Sequence, residues 1–191
     1  MLKGIRCETA KCAMERKGRS NPPGTHSWRR GKASPYAVRL REKQKVKRYY
    51  GVLERQFIRY FRQAERFRQN TGVALLCLLE RRLDNAVYKA GLAASRRSAR
   101  QLIGHGHIYV NGRRVDRPAY RVQLGDKLSV KSGDRSQKLI RQFLEGDGVR
   151  TVQPWLQLTP ERLEAVVAAL PARDDVQIPV EEQLIVELCS R

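Results

Sequence analysis

Ser95-Arg96-Arg97-Ser98-Ala99-Arg100-Gln101-Leu102-Ile103-Gly104-His105-Gly106-His107-Ile108-Tyr109-Val110-Asn111-Gly112-Arg113-Arg114-Val115 is the stretch on which the reading of this chain turns. Ser95 is a good helix N-cap, because its hydroxyl can accept a hydrogen bond from a free first-turn N–H. Ala99, Leu102 and Ile103 then fall on one helical face, and Arg96, Arg97, Arg100 and Gln101 on the other. Gly104 stops the helix. Asn111-Gly112 between two β-rich runs predicts a type I′ hairpin, since both residues tolerate positive φ. Arg113 and Arg114 follow the turn directly, beside the expected basic face of the helix. Val122, Leu124 and Gly125-Asp126 lead to a further strand at Lys127–Lys131. The stretch therefore predicts short helices feeding a small antiparallel sheet, with five guanidinium groups on one surface.

Upstream, Val73 to Ala90 is apolar, with Leu76, Leu79, Leu83 and Val87 on one side. This predicts two short helices closing at Gly91. Thr71-Gly72 separates them from an amphipathic helix over about Val52 to Gln69. Leu53, Phe57, Tyr60, Phe61 and Ala64 form its apolar stripe, and Arg55, Arg59, Arg62 and Arg66 recur on the opposite face. Like charges at these spacings repel one another on a helix, which predicts a polyanion against them. Further upstream, Ser34-Pro35 predicts an N-cap and a first-turn proline, opening a helix to about Tyr49. Arg39, Arg41, Lys43, Lys45, Lys47 and Arg48 cover most of its circumference, against only Ala37, Val38, Leu40 and Val46. A helix so polar is poorly stabilised by a protein core alone, so phosphate contacts are expected to support it. Residues 1–33, with Gly4, Gly18, Pro22, Pro23, Gly24 and Gly31, read as an irregular basic arm that orders against a partner. Arg29, Arg30 and Lys32 are its candidate RNA contacts.

The charge distribution points the same way. The chain has 191 residues and a net charge of +20, with 41% hydrophobic residues. That is one large domain or two small ones. Residues 1–68 carry 20 basic and 5 acidic residues, 69–145 carry 15 and 6, and 146–191 carry 4 and 8. The front two-thirds is thus expected to meet a polyanion, and the tail is not. Arginine outnumbers lysine 28 to 11. A guanidinium group binds phosphate bidentately and stacks on bases, which suits a structured nucleic acid. The balance argues against a metabolic enzyme with a mixed surface. No apolar run of membrane-spanning length occurs, and the basic start lacks a signal-peptide core, so the expected location is cytoplasmic with no membrane partner.

Downstream, Thr159-Pro160-Glu161 predicts the start of a helix, with Leu163, Val166, Val167 and Leu170 inward and Pro171 at its end. Val176, Ile178 and Val180 alternate, and Glu181 to Leu188 is apolar enough to pack back onto the body. Four cysteines are too few for a disulfide scaffold at this length. Cys77 reads as a buried thiol, Cys189 sits beside apolar residues near the end, and only Cys7 and Cys12 look paired.

Several stretches together resemble a known family. Arg82-Leu83-Asp84-Asn85, the Ser95–Ile103 helix and Gly104-His105-Gly106-His107-Ile108-Tyr109-Val110-Asn111-Gly112 resemble the helix-hairpin RNA-binding module named after the fourth protein of the bacterial small ribosomal subunit. Pro22-Pro23-Gly24-Thr25-His26, Leu40–Lys45 with Tyr50–Phe57, and Pro179–Glu187 resemble the arm, helical domain and C-terminus of that ribosomal family, nearly end to end. The resemblance implies an α+β, mostly α fold: an arm (1–34), a helical domain (35–79, completed by 175–191) and an inserted module (80–174, core 81–145). It implies a primary binder of 16S rRNA that nucleates assembly of the small-subunit body. It also implies a role in translational accuracy with the fifth and twelfth small-subunit proteins, contact with the third, and a place where mRNA enters. Many members bind zinc through a C-x-x-C pair followed by a C-x₄-C pair. Cys7 and Cys12 match the second pair, and the first would lie upstream of Met1. Since structural zinc normally takes four ligands, no zinc and no other cofactor is expected, even with His26 as a possible third ligand.

Other classes share the module. Pseudouridine synthases carry a catalytic aspartate in Arg-Leu-Asp, and Arg82-Leu83-Asp84 reads the same. Against that reading, Asp84 begins a periodic helical run and too little chain follows residue 145 for a catalytic domain. A tRNA synthetase lacks its nucleotide-binding domain here, and small ribosome-rescue factors lack the first 70 residues. His105 and His107, ahead of the hairpin, are expected to touch RNA backbone or support the turn. No enzymatic activity is expected.

Overall fold

A computed structural model describes Ala10, Cys12, Thr25 and residues 31–68, 70–146, 152–159, 161 and 163–190. Cys7, His26, Arg29 and Arg30 lie outside the described residues, and Lys32 is exposed. Among the described residues the chain forms seven α-helices and a five-stranded antiparallel sheet. The fold is α+β and mostly helical, as expected.

The first apolar core is helical. α1 (Pro35–Tyr50) starts where Ser34 Oγ accepts from Ala37 N and ends at Gly51, whose φ of 64° closes the helix in the left-handed region. α2 (Glu54–Ala64) buries Phe57, Tyr60, Phe61 and Ala64. It is shorter than the expected 52–69, and Leu53, assigned to its stripe, is 79% exposed at the N-cap. α3 (Thr71–Glu80) is capped by Asn70, so Thr71-Gly72 opens this helix. α7 (Glu182–Cys189) packs against α1 and α3. Val176, Ile178 and Val180 are buried in the same core, reached through a single 3₁₀ turn at Arg173–Asp175. Cys77, expected to be buried, is only half-buried.

The close approach of α3 and α7 requires Gly72. A Cβ there would stand 2.5 Å from Glu182 Cβ. Gly→Ala inside a helix ordinarily gains up to about 1 kcal/mol, but here overpacking outweighs propensity. Gly72→Ala is expected to destabilise the protein by about 1–3 kcal/mol, seen as a lower urea midpoint with an unchanged slope. An unchanged midpoint would mean that α7 moves aside freely.

The second core lies between the remaining helices and the sheet. α4 (Leu83–Lys89) and α5 (Arg96–Gly104) pack on strands β1 (Ile108–Val110), β2 (Arg113–Arg114), β3 (Lys127–Val130), β4 (Leu156–Thr159) and β5 (Glu164–Val167). The order is β2-β1-β3-β5-β4, antiparallel throughout. The β1–β2 turn has φ of 51° at Asn111 and 76° at Gly112, as a type I′ turn needs.

Two further elements differ from expectation. The helix expected from Thr159 to Leu170 is instead the β4–β5 hairpin. Leu163, Ala165 and Val167 alternate inward, Leu163 sits at φ 52°, and Leu170 is 46% exposed. β5 adds to the open edge of β3, pairing Leu128 with Ala165, so the ladder outweighs a helical reading of the same residues. In addition α6 (Asp134–Gly146), which the sequence reading did not anticipate, places Ser136 and Ile140 against the module. Its amphipathic spacing was the available signal.

Candidate nucleic-acid interface

The basic residues divide into exposed groups and groups that join the two cores. Arg55, Arg59 and Arg62 on α2, opposite its buried aromatic stripe, and Arg66 in the turn that follows the helix are all exposed. Among the described residues none of the four forms an ion pair, whereas much of the charge on α1 is paired, mostly with carboxylates of α2 and α7. Lys43 Nζ and Lys47 Nζ both reach Glu54, at 2.8 and 2.5 Å, and hold its carboxyl below the usual range. Lys45 pairs with Glu42 and Arg39 with Glu187. The polar α1 is therefore anchored by α7 and by Glu54 as well as by Val46 and Tyr50. Arg41 and Arg48 remain exposed.

The module surface is smaller than expected. Arg97, Gln101, His105, Arg113 and Arg114 are exposed, and the Arg114 guanidinium covers Gly106 so closely that a Cβ there would fall 2.5 Å from its Nε. His107 faces Ser136 Oγ at 2.9 Å and so ties the turn to α6. Asn111 locks the hairpin to the β3 loop: its Nδ2 donates to Asp126 Oδ1, and its Oδ1 accepts from Lys127 N. Ser95 Oγ caps α5 by accepting from Ser98 N. Gly112 is exposed at the turn. Arg68 and Arg117, outside the predicted set, are also exposed.

Arg96 and Arg100, expected to point outward, turn toward the first core. Arg96 is 9% exposed. Its Nε donates to Asn85 Oδ1 at 2.8 Å, and its guanidinium lies over the rings of Tyr49, Tyr88 and Tyr50, at 3.9, 4.7 and 5.3 Å. Asn85 Nδ2 donates to Glu80 Oε2, and Tyr50 Oη donates to Glu80 Oε1. Burial, and secondarily Glu80, raises the Tyr50 hydroxyl well above its ordinary range, so it stays protonated as this donor. Arg100 Nη1 donates to Gly51 O and its Nη2 to Asp84 Oδ2. The sequence reading missed Glu80, Asn85 and the three tyrosines as organisers of Arg96. A lone glutamate in the apolar run of α3 was the only local sign.

Asp84 is the centre of the second bridge. It is 1% exposed and accepts from Arg82 Nε at 3.0 Å, Arg82 Nη2 at 2.6 Å and Arg100 Nη2 at 2.7 Å. Burial alone would lower the Arg82 pKa, but the Asp84 hydrogen bonds outweigh it and hold the guanidinium above its ordinary value. Arg82 Nη1 donates to Tyr60 Oη, across to α2. The Arg-Leu-Asp motif thus forms a buried ionic joint.

A helical core and an α–β core with outward arginine faces make this an α+β protein with a strongly basic surface, and comparison with known proteins gives its family. Residues 1–80 match the ribosomal protein S4/S9 N-terminal domain, and residues 81–128 match the S4 domain. Small ribosomal subunit protein uS4 of Halothermothrix orenii is 53% identical over 190 residues, covering all of this chain and 90% of the relative. The protein of the same name from Thermus thermophilus is 53% identical over 191 residues with the same coverage, and that of Syntrophobacter fumaroxidans 47% over 190. The chain belongs to the uS4 family of small ribosomal subunit proteins.

Proposed function

We propose that this chain is a structural, non-catalytic constituent of the small ribosomal subunit and binds 16S rRNA through the exposed arginines of α2, α5 and the β1–β2 hairpin. The exposed, unpaired row Arg55, Arg59, Arg62 and Arg66 supports this reading most directly. A protein core gives no reason for three like charges on one face of α2 and a fourth in the turn after it, and a phosphate backbone does. Arg41 and Arg48 extend the surface, and Lys43, Lys45 and Lys47 exchange their carboxylate partners for phosphates at its edge. Arg29, Arg30 and Lys32 carry the arm onto the RNA. Residues 80–174 act as a module inserted between 35–79 and 175–191.

The family resemblance supports the finer reading: nucleation of small-subunit body assembly, a part in decoding accuracy, contact with the fifth and third small-subunit proteins, and a position near incoming mRNA. The burial of Asp84 between two guanidinium groups favours a structural over a catalytic role for it. Of the candidate zinc ligands only Cys12 is among the described residues, where no group of three metal-ligating side chains occurs. Among the same residues no helix is long and apolar enough to cross a membrane.

Binding is expected to be strongly salt-dependent. With six or more phosphate contacts, log affinity for the 5′ domain of 16S rRNA should fall against log salt with a slope steeper than about −4. A slope near zero in filter binding would refute the electrostatic account. Retention of the chain on small subunits through a high-salt wash separates a constituent from a loosely bound factor.

A further inference from the structure

The two apolar cores share no residue among those described. The chain passes from the first to the second between Leu79 and Leu83 and returns between Val167 and Val176. Domains joined without a large apolar interface ordinarily move against one another. Here one buried carboxylate anchors two guanidinium arms that reach across. Arg82, whose backbone bridges to Arg121 within the module, donates to Asp84 through Nε and Nη2 and to Tyr60 Oη on α2 through Nη1, at 3.0 Å. Arg100 of α5 donates to Asp84 Oδ2 at 2.7 Å and to the Gly51 and Tyr50 carbonyls at 2.9 and 3.5 Å. A helix leaves its last carbonyls without partners of its own, so a side chain of the module caps α1. Its positive charge also suits that end of the helix dipole. The other contacts between the cores are looser in kind. Arg96 lies on the faces of Tyr49 and Tyr50, and a ring face attracts a cation anywhere within about 6 Å of its centre. Arg121 donates to Gln63 and Lys89 to Gln177, each through one bond at the end of a long side chain.

We propose that Arg82 and Arg100 are positioning residues. With Asp84 between them they form a two-armed clamp that sets the angle between the cores, and so the spacing between the α2 arginines and the Asn111-Gly112 hairpin. One arm grips α2 at Tyr60 and the other the end of α1, so rotation is fixed as well as distance. N–H···O bonds hold only over about 2.7–3.2 Å and in a narrow range of angles, which apolar surfaces sliding over one another do not require. A buried ion pair adds little net stability over an apolar pair of similar volume, and its best-attested use is to specify register. Arg82 and Asp84 are 2% and 1% exposed, so neither touches RNA, and any effect of theirs on RNA binding passes through placement. This inference rests on the RNA-binding reading above.

The test uses the full chain, with spin labels on azide-bearing residues introduced at Gln183 of α7 and Leu124 of the module, both exposed. Electron–electron distance measurement should give one narrow distribution for the parent. Arg82→Met combined with Asp84→Leu should broaden it in RNA-free protein. If open placements then hold nine-tenths of the molecules, affinity for the 5′ domain of 16S rRNA falls by about tenfold. The log–log salt slope should stay at the parent's value, because no phosphate contact is lost. A parent-like distribution in the double variant would overturn the clamp. A broadened distribution with the parent's affinity, or a loss of affinity with a shallower slope, would overturn the positioning role. Should the double variant fail to fold, Tyr60→Phe combined with Arg100→Gln releases both grips on the helical core and keeps the Arg82–Asp84 pair. Broadened distances there support the clamp, and parent-like distances overturn it. A parent protein that does not bind RNA would overturn the RNA-binding reading itself, while the distances, measured without RNA, decide the clamp separately.

Discussion

Arg59→Glu combined with Arg62→Glu should weaken rRNA binding by about 100-fold while leaving helix content unchanged. Both side chains are exposed, and among the described residues neither has an ion-pair partner. Phe57, Tyr60, Phe61 and Ala64 bury the other side of the same helix, so the substitutions do not touch the core. A hydrogen bond to a charged group contributes about 1.5–3 kcal/mol, and each 1.4 kcal/mol is tenfold in affinity. Two lost phosphate contacts therefore predict about two orders of magnitude, and reversed charge adds repulsion. Filter binding and circular dichroism read the two outcomes separately. Lost helix content would make these arginines structural, and unchanged binding would make the face merely solvated.

Asp84→Ala should lower stability by about 3–5 kcal/mol, the ordinary cost of stranding one partner of a buried ion pair. Arg82, 2% exposed, would keep only the Tyr60 hydroxyl among its side-chain partners. Arg100 would lose its carboxylate and keep only the Gly51 and Tyr50 carbonyls at this joint. For a chain of this length about 3–5 kcal/mol corresponds to a fall of roughly 10 °C in Tm. Replacing the pair together, Arg82→Met with Asp84→Leu, should recover much of the loss, because an apolar pair of similar volume needs no counterion. A single Asp84→Ala variant with the parent's Tm would show that water already solvates the joint. The same variant addresses the enzymatic alternative: pseudouridine formed by the parent and abolished in Asp84→Ala would overturn the non-catalytic reading.

Much of the architecture is legible in local chemistry. Ser34-Pro35 and Ser95 mark helix starts because their hydroxyls or fixed φ satisfy the first turn without help from elsewhere. Asn111-Gly112 specifies its turn because two consecutive positive φ values exclude most other residues. The α2 stripe and its arginine row are equally local, since one helical period sorts both faces. The membership of the chain in a ribosomal family was also readable, through motifs spread along its whole length.

Only the tertiary structure decided the segment from Thr159 to Leu170 and the direction of Arg96. Leu163 and Val167 are four residues apart, a spacing that one face of a helix and one face of a strand share. Val166 and Leu170 extend that spacing to a helical stripe, but Val166 falls on the other face of β5 and Leu170 is exposed, because the segment pairs with the edge of β3, which the sequence of 159–170 cannot reveal. Arg96 occupies the polar face of α5 by period, and a charged residue there ordinarily meets water. It is buried because Tyr49 and Tyr50, 47 and 46 residues earlier, cover it with their rings, while Asn85, 11 residues earlier, accepts from its Nε. Helical period specifies which residues share a face. What that face meets depends on residues distant in the chain, and here the meeting of two cores turned a predicted surface arginine into a buried one stacked on tyrosine rings.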